Sequence, residues 1–137
     1  MSNFVYKKAK EAFLNGNINV LNDQLKVLLL NTSEYTANEN TDEFVSHIPA
    51  NGIVKRSEAL INTTSSNGVF DADNVTITEY NGDPFEAIAL YQYKPSDAEA
   101  RLIFYIDTSD GLPYSGLNTV SSVTIFWNDS IEKILSI

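Results

Sequence analysis

In 137 residues the sequence has no cysteine, one histidine, one methionine and one tryptophan, and its nine Lys and Arg face eighteen Asp and Glu. Each shortage removes a class of chemistry. Without cysteine there are no disulfides, no thiolate nucleophile and no Cys-ligated zinc, and the redox compartment stays undetermined. A formal charge of −9 lacks the electrostatic footprint of a binder of nucleic acid or anionic membrane. Long apolar runs are missing too. The longest, Leu25 to Leu30, is interrupted by Lys26 and is far shorter than the ~20 residues that span a bilayer. The start, Met1-Ser2-Asn3-Phe4-Val5-Tyr6-Lys7-Lys8, leads into no apolar core of a secretory signal. A soluble product of a cytoplasm is expected, and the Asn-x-Ser/Thr sequons at Asn31, Asn62, Asn74 and Asn128 read as accidents of an Asn-, Ser- and Thr-rich composition.

What is present is a packable interior. The chain is 43% hydrophobic and 11% aromatic, at a length that suits one domain. From Asn3 to Leu14 the apolar residues Val5, Ala9, Ala12 and Phe13 fall at helical spacing, Ser2 or Asn3 can cap the start, and Gly16 can end the helix. After Gly16 the pattern is mainly β. Gln24 to Leu30 is apolar on both faces and reads as a central strand, and Ile53 to Thr63 as a strand with an irregularity near Lys55-Arg56. Asn40 and Glu43 resemble a capping box for a short helical turn from Thr41 to His47. The alternation of Val75 to Thr78, then Asn81-Gly82-Asp83-Pro84, predicts a hairpin with Phe85 to Tyr93. Arg101 to Asp107 is a further strand, the loop from Thr108 to Asn118 carries Gly111, Pro113 and Gly116, and Thr119 to Trp127 with Ile131 to Ile137 predicts a closing hairpin. The sum is an antiparallel β-sandwich or barrel-like domain of seven or eight strands over residues 17–137, preceded by a helical arm over 1–16.

Candidate chemistry is sparse. His47 is the single histidine, no serine stands in a recognisable nucleophile elbow beside it, and packing at the end of a short helix is its ordinary use. Asp71 with Asp73, and Asp107 with Asp110, are carboxylate pairs of the kind a glycosidase needs. In a chain with eighteen acidic residues such pairs arise by chance, and turn-forming Asp accounts for them. The segment Asp107 to Gly111 supplies oxygen ligands without the order or closing Glu of an EF-hand. No Gly-rich phosphate loop is present. No catalytic residue, cofactor or metal is therefore expected. Tyr80, Tyr91, Tyr93, Tyr105, Tyr114 and Trp127 are material for a sugar-stacking platform, but those in strands more simply fill a sandwich, leaving Tyr114, in the loop, as a candidate contact.

The charge is uneven. Lys7, Lys8 and Lys10 lie within four residues, and the remainder of the chain holds six basic and eighteen acidic side chains, a balance of −12. A basic helix on an acidic body can dock on an acidic partner or on another copy of the chain, with Val5, Lys7, Lys8 and Phe13 as the contact residues.

Several segments together resemble a family of small structural proteins of tailed-bacteriophage virions. They include Ala12-Phe13-Leu14-Asn15-Gly16, Leu25-Lys26-Val27-Leu28-Leu29-Leu30-Asn31-Thr32, Glu43-Phe44-Val45-Ser46-His47-Ile48-Pro49, Gly68-Val69-Phe70-Asp71-Ala72-Asp73-Asn74-Val75-Thr76, Arg101-Leu102-Ile103-Phe104-Tyr105-Ile106-Asp107-Thr108 and Val123-Thr124-Ile125-Phe126-Trp127-Asn128. The likeness covers nearly the whole chain, and its motifs are structural rather than catalytic. It departs at Tyr114-Ser115-Gly116-Leu117-Asn118, where family members carry a Gly-rich turn. The resemblance implies a non-enzymatic virion component, foremost a capsid decoration or cement protein. Its partners would be the major capsid protein or other virion proteins, in many copies or as a homo-oligomer, with no nucleic acid and no membrane. A tail or fibre protein, or a carbohydrate or host-receptor module using Tyr114, is the alternative.

Overall fold

The computed structural model describes residues 3–67, 69–80, 82–108, 112, 114, 122–125 and 135–136. The protein is mainly β, as the sequence patterns predict, and the described residues include one α-helix. In chain order the elements are β1 (Asn3–Val5), α1 (Lys7–Leu14), β2 (Leu25–Leu30), β3 (Ile53–Arg56), β4 (Thr64–Ser66), β5 (Val69–Asp71), β6 (Val75–Thr78), β7 (Ala87–Gln92), β8 (Leu102–Ile106), β9 (Ser122–Ile125) and β10 (Leu135–Ser136).

The centre is a five-stranded antiparallel sheet in the order β1-β8-β7-β2-β3. All six residues of β7 and five of six in β2 are buried, which is why neither strand shows the one-sided alternation of a sheet with a wet face. In register, Leu28 and Leu30 stand beside Ala89 and Ala87 on one face, while Val27 and Leu29 stand beside Leu90 and Ile88 on the other. Two smaller sheets, β10-β5-β4 and β6-β9, complete the described strands. The five-stranded sheet runs from edge β1 to edge β3 and does not close into a barrel.

Several readings of the chain are corrected. The segment expected to be helical from Asn3 begins as β1, paired antiparallel with β8 (Asn3 opposite Ile106, Val5 opposite Phe104), and α1 starts only at Lys7. Val5 and Phe4 are paired across strands rather than spaced around a helix, because the open edge of β8 offers ladder hydrogen bonds that a short isolated helical turn cannot match. No side chain caps α1 at Tyr6. Its C-terminus is as expected: Gly16, at φ +77°, donates to Phe13 O and Asn17 to Ala12 O, the paired bonds of a Schellman motif.

The expected hairpin of β6 with β7 does not form. Both edges of β7 are taken, by β2 and β8, and β6 pairs instead with β9, Val75 opposite Ile125. β6 buries Val75 and Ile77 and exposes Thr76 and Thr78. Such a half-wet strand suits a peripheral ribbon, where Thr76 and Thr124 share a hydroxyl hydrogen bond of 2.8 Å. Of the expected closing hairpin, the described residues Ser122–Ile125 (β9) lie beside β6 and Leu135–Ser136 (β10) beside β5; its turn lies outside the described residues.

The helical turn expected from Thr41 is reduced to a 3-10 turn over Val45–His47. The side-chain caps sit earlier, with Asn38 Oδ1 accepting from Asn40 and Thr41 N–H and Asp42 Oδ2 accepting from Asn38 N–H. Further along, β3 ends at Arg56, short of Thr63. Its irregularity falls at Val54, which the register skips between Leu29 opposite Lys55 and Leu30 opposite Ile53.

Candidate interaction surface

The segment 3–17 is tied into the body along its length. Tyr6, fully buried, donates its N–H to Ile103 O, and its carbonyl accepts from Ala9 and Lys10 to begin α1. Lys7 N–H donates to Glu39 O. α1 then presses Ala9 and Ala12 into the core, with Phe13 half-buried against it. What the helix leaves outside is Lys7, Lys10, Glu11 and Leu14. Lys7, Lys10 and Leu14, at i, i+3 and i+7, form one stripe. Lys8 is half-buried and stands 3.9 Å from Glu11. Of the four residues named on this segment, Lys7 and Lys8 therefore reach solvent as cations. Val5 lies in β1 and Phe13 against the core, both partly buried within the chain itself. Leu14, which sequence reading took only as the last helical residue, is 88% exposed. Its helical spacing from Lys7 and Lys10 was the signal that it belongs to the outer stripe.

Tyr114 occupies a different setting from the exposed loop expected for it. Its backbone exchanges both hydrogen bonds with Phe85, at 2.8 and 3.0 Å. Its ring is half-buried, with ring centroids 5.1 Å from Phe85 and 6.2 Å from Tyr80. Tyr80 donates its hydroxyl to Asp83 O. Tyr80, Phe85 and Tyr114 thus pack ring against ring ahead of β7. Tyr80, Tyr91 and Tyr105 are buried, and Tyr93 has Lys26 Nζ 4.0 Å over its ring. Trp127 lies outside the described residues.

The remaining candidates are absorbed by local structure. His47 Nδ1 accepts from Glu43 N–H at 3.1 Å, and its ring meets Phe44 edge-on, which is a packing role. Asp73 accepts from Asn62 Nδ2 at 2.6 Å, and Asp107 accepts from Thr108 Oγ1 at 2.9 Å. Asp110 and Gly111 lie outside the described residues. Among the described residues no three His, Asp or Glu side chains converge as metal ligands, and no helix is long and apolar enough to cross a membrane.

Two ion pairs hold the loop between β7 and β8. Arg101 pairs with Glu43 at 3.0 Å, and Arg56 grips Asp97 through both guanidinium nitrogens at 2.9 and 2.7 Å. That fork holds the Asp97 carboxyl below its ordinary range. The folded state therefore takes up this proton less readily than the unfolded one, so the stabilisation is complete above the unfolded pKa and is lost as pH falls through the lower folded value. Both side chains are more than a third exposed, 36% and 41%, so solvent screening keeps the effect under ~1 kcal/mol. Asp97→Asn is expected to lower the melting temperature slightly at neutral pH, and the difference from the parent should vanish at strongly acidic pH. A difference that persists there would show that the pair is not its source.

The site and fold together define an all-β, sandwich-like domain in which α1 presents a cationic stripe on an acidic body. Neither a protein-family model nor a curated protein matches the chain. The likeness to virion proteins therefore rests on the quoted segments alone.

Proposed function

We propose that the protein is a non-enzymatic structural component of a tailed-phage particle, a capsid decoration protein that seats the α1 cations on an acidic surface of the shell. The observation that carries this reading is the disposition of charge. Lys7 and Lys10 project from a helix whose apolar side is already used by its own core, on a chain of net charge −9. Such a surface steers toward an anionic protein patch and fixes orientation there. A strongly acidic body disfavours packaged DNA, in keeping with a position outside the shell. The backbone ties of Tyr6 to Ile103 and of Lys7 to Glu39 fix α1 on the body, which lowers the ordering entropy of docking.

Mass spectrometry of purified particles tests the assignment. A copy number commensurate with the capsid subunits supports it, a few copies would place the protein in the tail, and absence from particles overturns it. Within that frame, Lys7→Glu with Lys10→Glu should reduce occupancy on shells about tenfold, because each exposed ion pair is worth up to ~1 kcal/mol. The loss should be mimicked by raising the salt concentration. Unchanged occupancy would remove α1 from the contact.

A further inference from the structure

Leu14 is the most exposed large hydrophobic side chain among the described residues, at 88%, and no local motif accounts for it. α1 turns Ala9, Ala12 and Phe13 toward the core. With about 100° of turn per residue, Leu14 stands about 150° round the helix from their mean direction, on the side of the exposed Lys7, Lys10 and Glu11. The Schellman bonds that end α1 run from Gly16 and Asn17 N–H to Phe13 and Ala12 O and ask nothing of the side chain at Leu14. The outer face of a surface helix ordinarily carries polar residues there. The position is also held firmly. Asn15 N–H donates to Glu11 O, and Asn17 O accepts from Nε2 of Gln92 at 2.9 Å, a side chain 1% exposed. These bonds fix the backbone that follows Leu14. Helical side chains lean toward the N-terminus, so its methyl groups stand over the turn of Lys10 and Glu11.

We propose that Leu14 is the apolar anchor of the α1 surface and that its partner is an acidic protein patch with an aliphatic socket. The Leu14 side chain enters the socket, and Lys7 and Lys10 meet carboxylates on its rim. The inference rests on the docking role proposed for α1 and specifies the partner's chemistry. Side chains at i, i+3 and i+7 are neighbours along one helix face, and this is the spacing by which a helix engages a groove. Charge decides the rim. On α1 the ion pair is Lys8 with Glu11, the acidic residue of the helix, and neither Lys7 nor Lys10 pairs with a described carboxylate. The contact of Lys7 with Glu39 runs from its backbone N–H to the Glu39 carbonyl. Lys8 offsets Glu11, so Lys7 and Lys10 set the net charge of the face. Magnitude decides the anchor. Full burial of a leucine side chain outweighs an exposed ion pair about two- to threefold in free energy, so Leu14 contributes more to affinity than either lysine. At −9 the chain repels an extended anionic layer of lipid headgroups or nucleic acid, whereas carboxylates confined to a socket rim face α1 alone.

Particles grown without the protein, incubated with the full chain over a series of salt concentrations, test it. Leu14→Gln keeps the charge and nearly the same helix propensity. It should raise the half-saturating concentration about ten- to a hundredfold, by the same factor at every salt concentration. Lys7→Gln with Lys10→Gln should instead flatten the salt dependence. Ile61→Gln, at a side chain 61% exposed and outside α1, is the control and should bind as the parent does. Leu14 is exposed, so the melting temperature of Leu14→Gln should match the parent, which separates a lost contact from a lost fold. If the parent does not bind particles, the docking reading falls and this inference with it. Parent binding that Leu14→Gln leaves unchanged, or that Ile61→Gln weakens equally, overturns the socket alone and leaves the docking reading standing. Binding of the parent to phosphatidylserine vesicles in place of particles assigns the stripe to a membrane and overturns both.

Discussion

Tyr6→Ala is expected to destabilise the domain by about 3–5 kcal/mol, the range for removing a large buried ring. Tyr6 is fully buried and stands at the junction of β1 and α1. Its ring meets Phe4 edge-on at 5.2 Å. Its hydroxyl lies 2.9 Å from that of Tyr35, which donates to Asp42 Oδ2 at 2.7 Å. The one proton of Tyr35 is committed to the carboxylate, so Tyr6 is the donor in the first bond. Burial pushes both phenols well above their ordinary pKa, which keeps this relay neutral and intact across the working pH range. Tyr6→Phe removes only the donor and should lose about 1 kcal/mol. Urea titrations of the two variants measure both numbers. A loss below about 1 kcal/mol for Tyr6→Ala would show that the N-terminal segment is a detachable arm. If the larger loss is found, deleting residues 1–15 is no test of docking, because it also removes a sheet strand and part of the core.

The second large effect lies in β2. Leu28→Ala and Leu29→Ala should each destabilise by about 3 kcal/mol, within the 2–5 kcal/mol typical of buried leucine truncation. Neighbouring strand residues point to opposite faces. In a sheet with one wet face, only one of the two would matter. Here both side chains are fully buried, with Leu28 beside Ala89 and Arg56 and Leu29 beside Ile88 and Lys55. The sheet is covered on both sides, so both substitutions leave a cavity. A large effect at one position and less than about 0.5 kcal/mol at the other would contradict a doubly covered β2.

Burial of this kind is also what Tyr105 reports. Its phenol is pushed up to about 12, chiefly by desolvation and then by the nearby Asp107, although it sits next to the edge strand, stacked on Phe4 at 5.0 Å. β1 is thus a working part of the sheet rather than an appendage.

Much of the fold was legible because local signals and tertiary structure agree. Leu25–Leu30 and Leu102–Ile106 are apolar runs of strand length, Gly16 sits where a helix must end in the left-handed region, and Val75–Thr78 alternates as a half-wet strand. Where reading failed, a local signal was outweighed by a distant partner. Asn81 to Pro84 is a sound turn sequence, yet turn chemistry sets only a change of direction. Which strand pairs with β6 was decided by β2 and β8 having filled both edges of β7. Asn3–Val5 fits a helix by spacing and becomes a strand because β8 offers an edge. Tyr114 follows a Gly- and Pro-containing stretch and is bound nonetheless, by Phe85 and Tyr80.

By itself the sequence determined the excluded chemistries, the mainly β class, the central place of β2 and the division of charge into a basic helix and an acidic body. These depend on composition and on periods of two or 3.6 residues, which are local. Strand order and the anchoring of the N-terminal segment through Tyr6 depend on contacts between residues far apart in the chain. Long-range hydrogen bonding, not local propensity, decides which strands and loops meet.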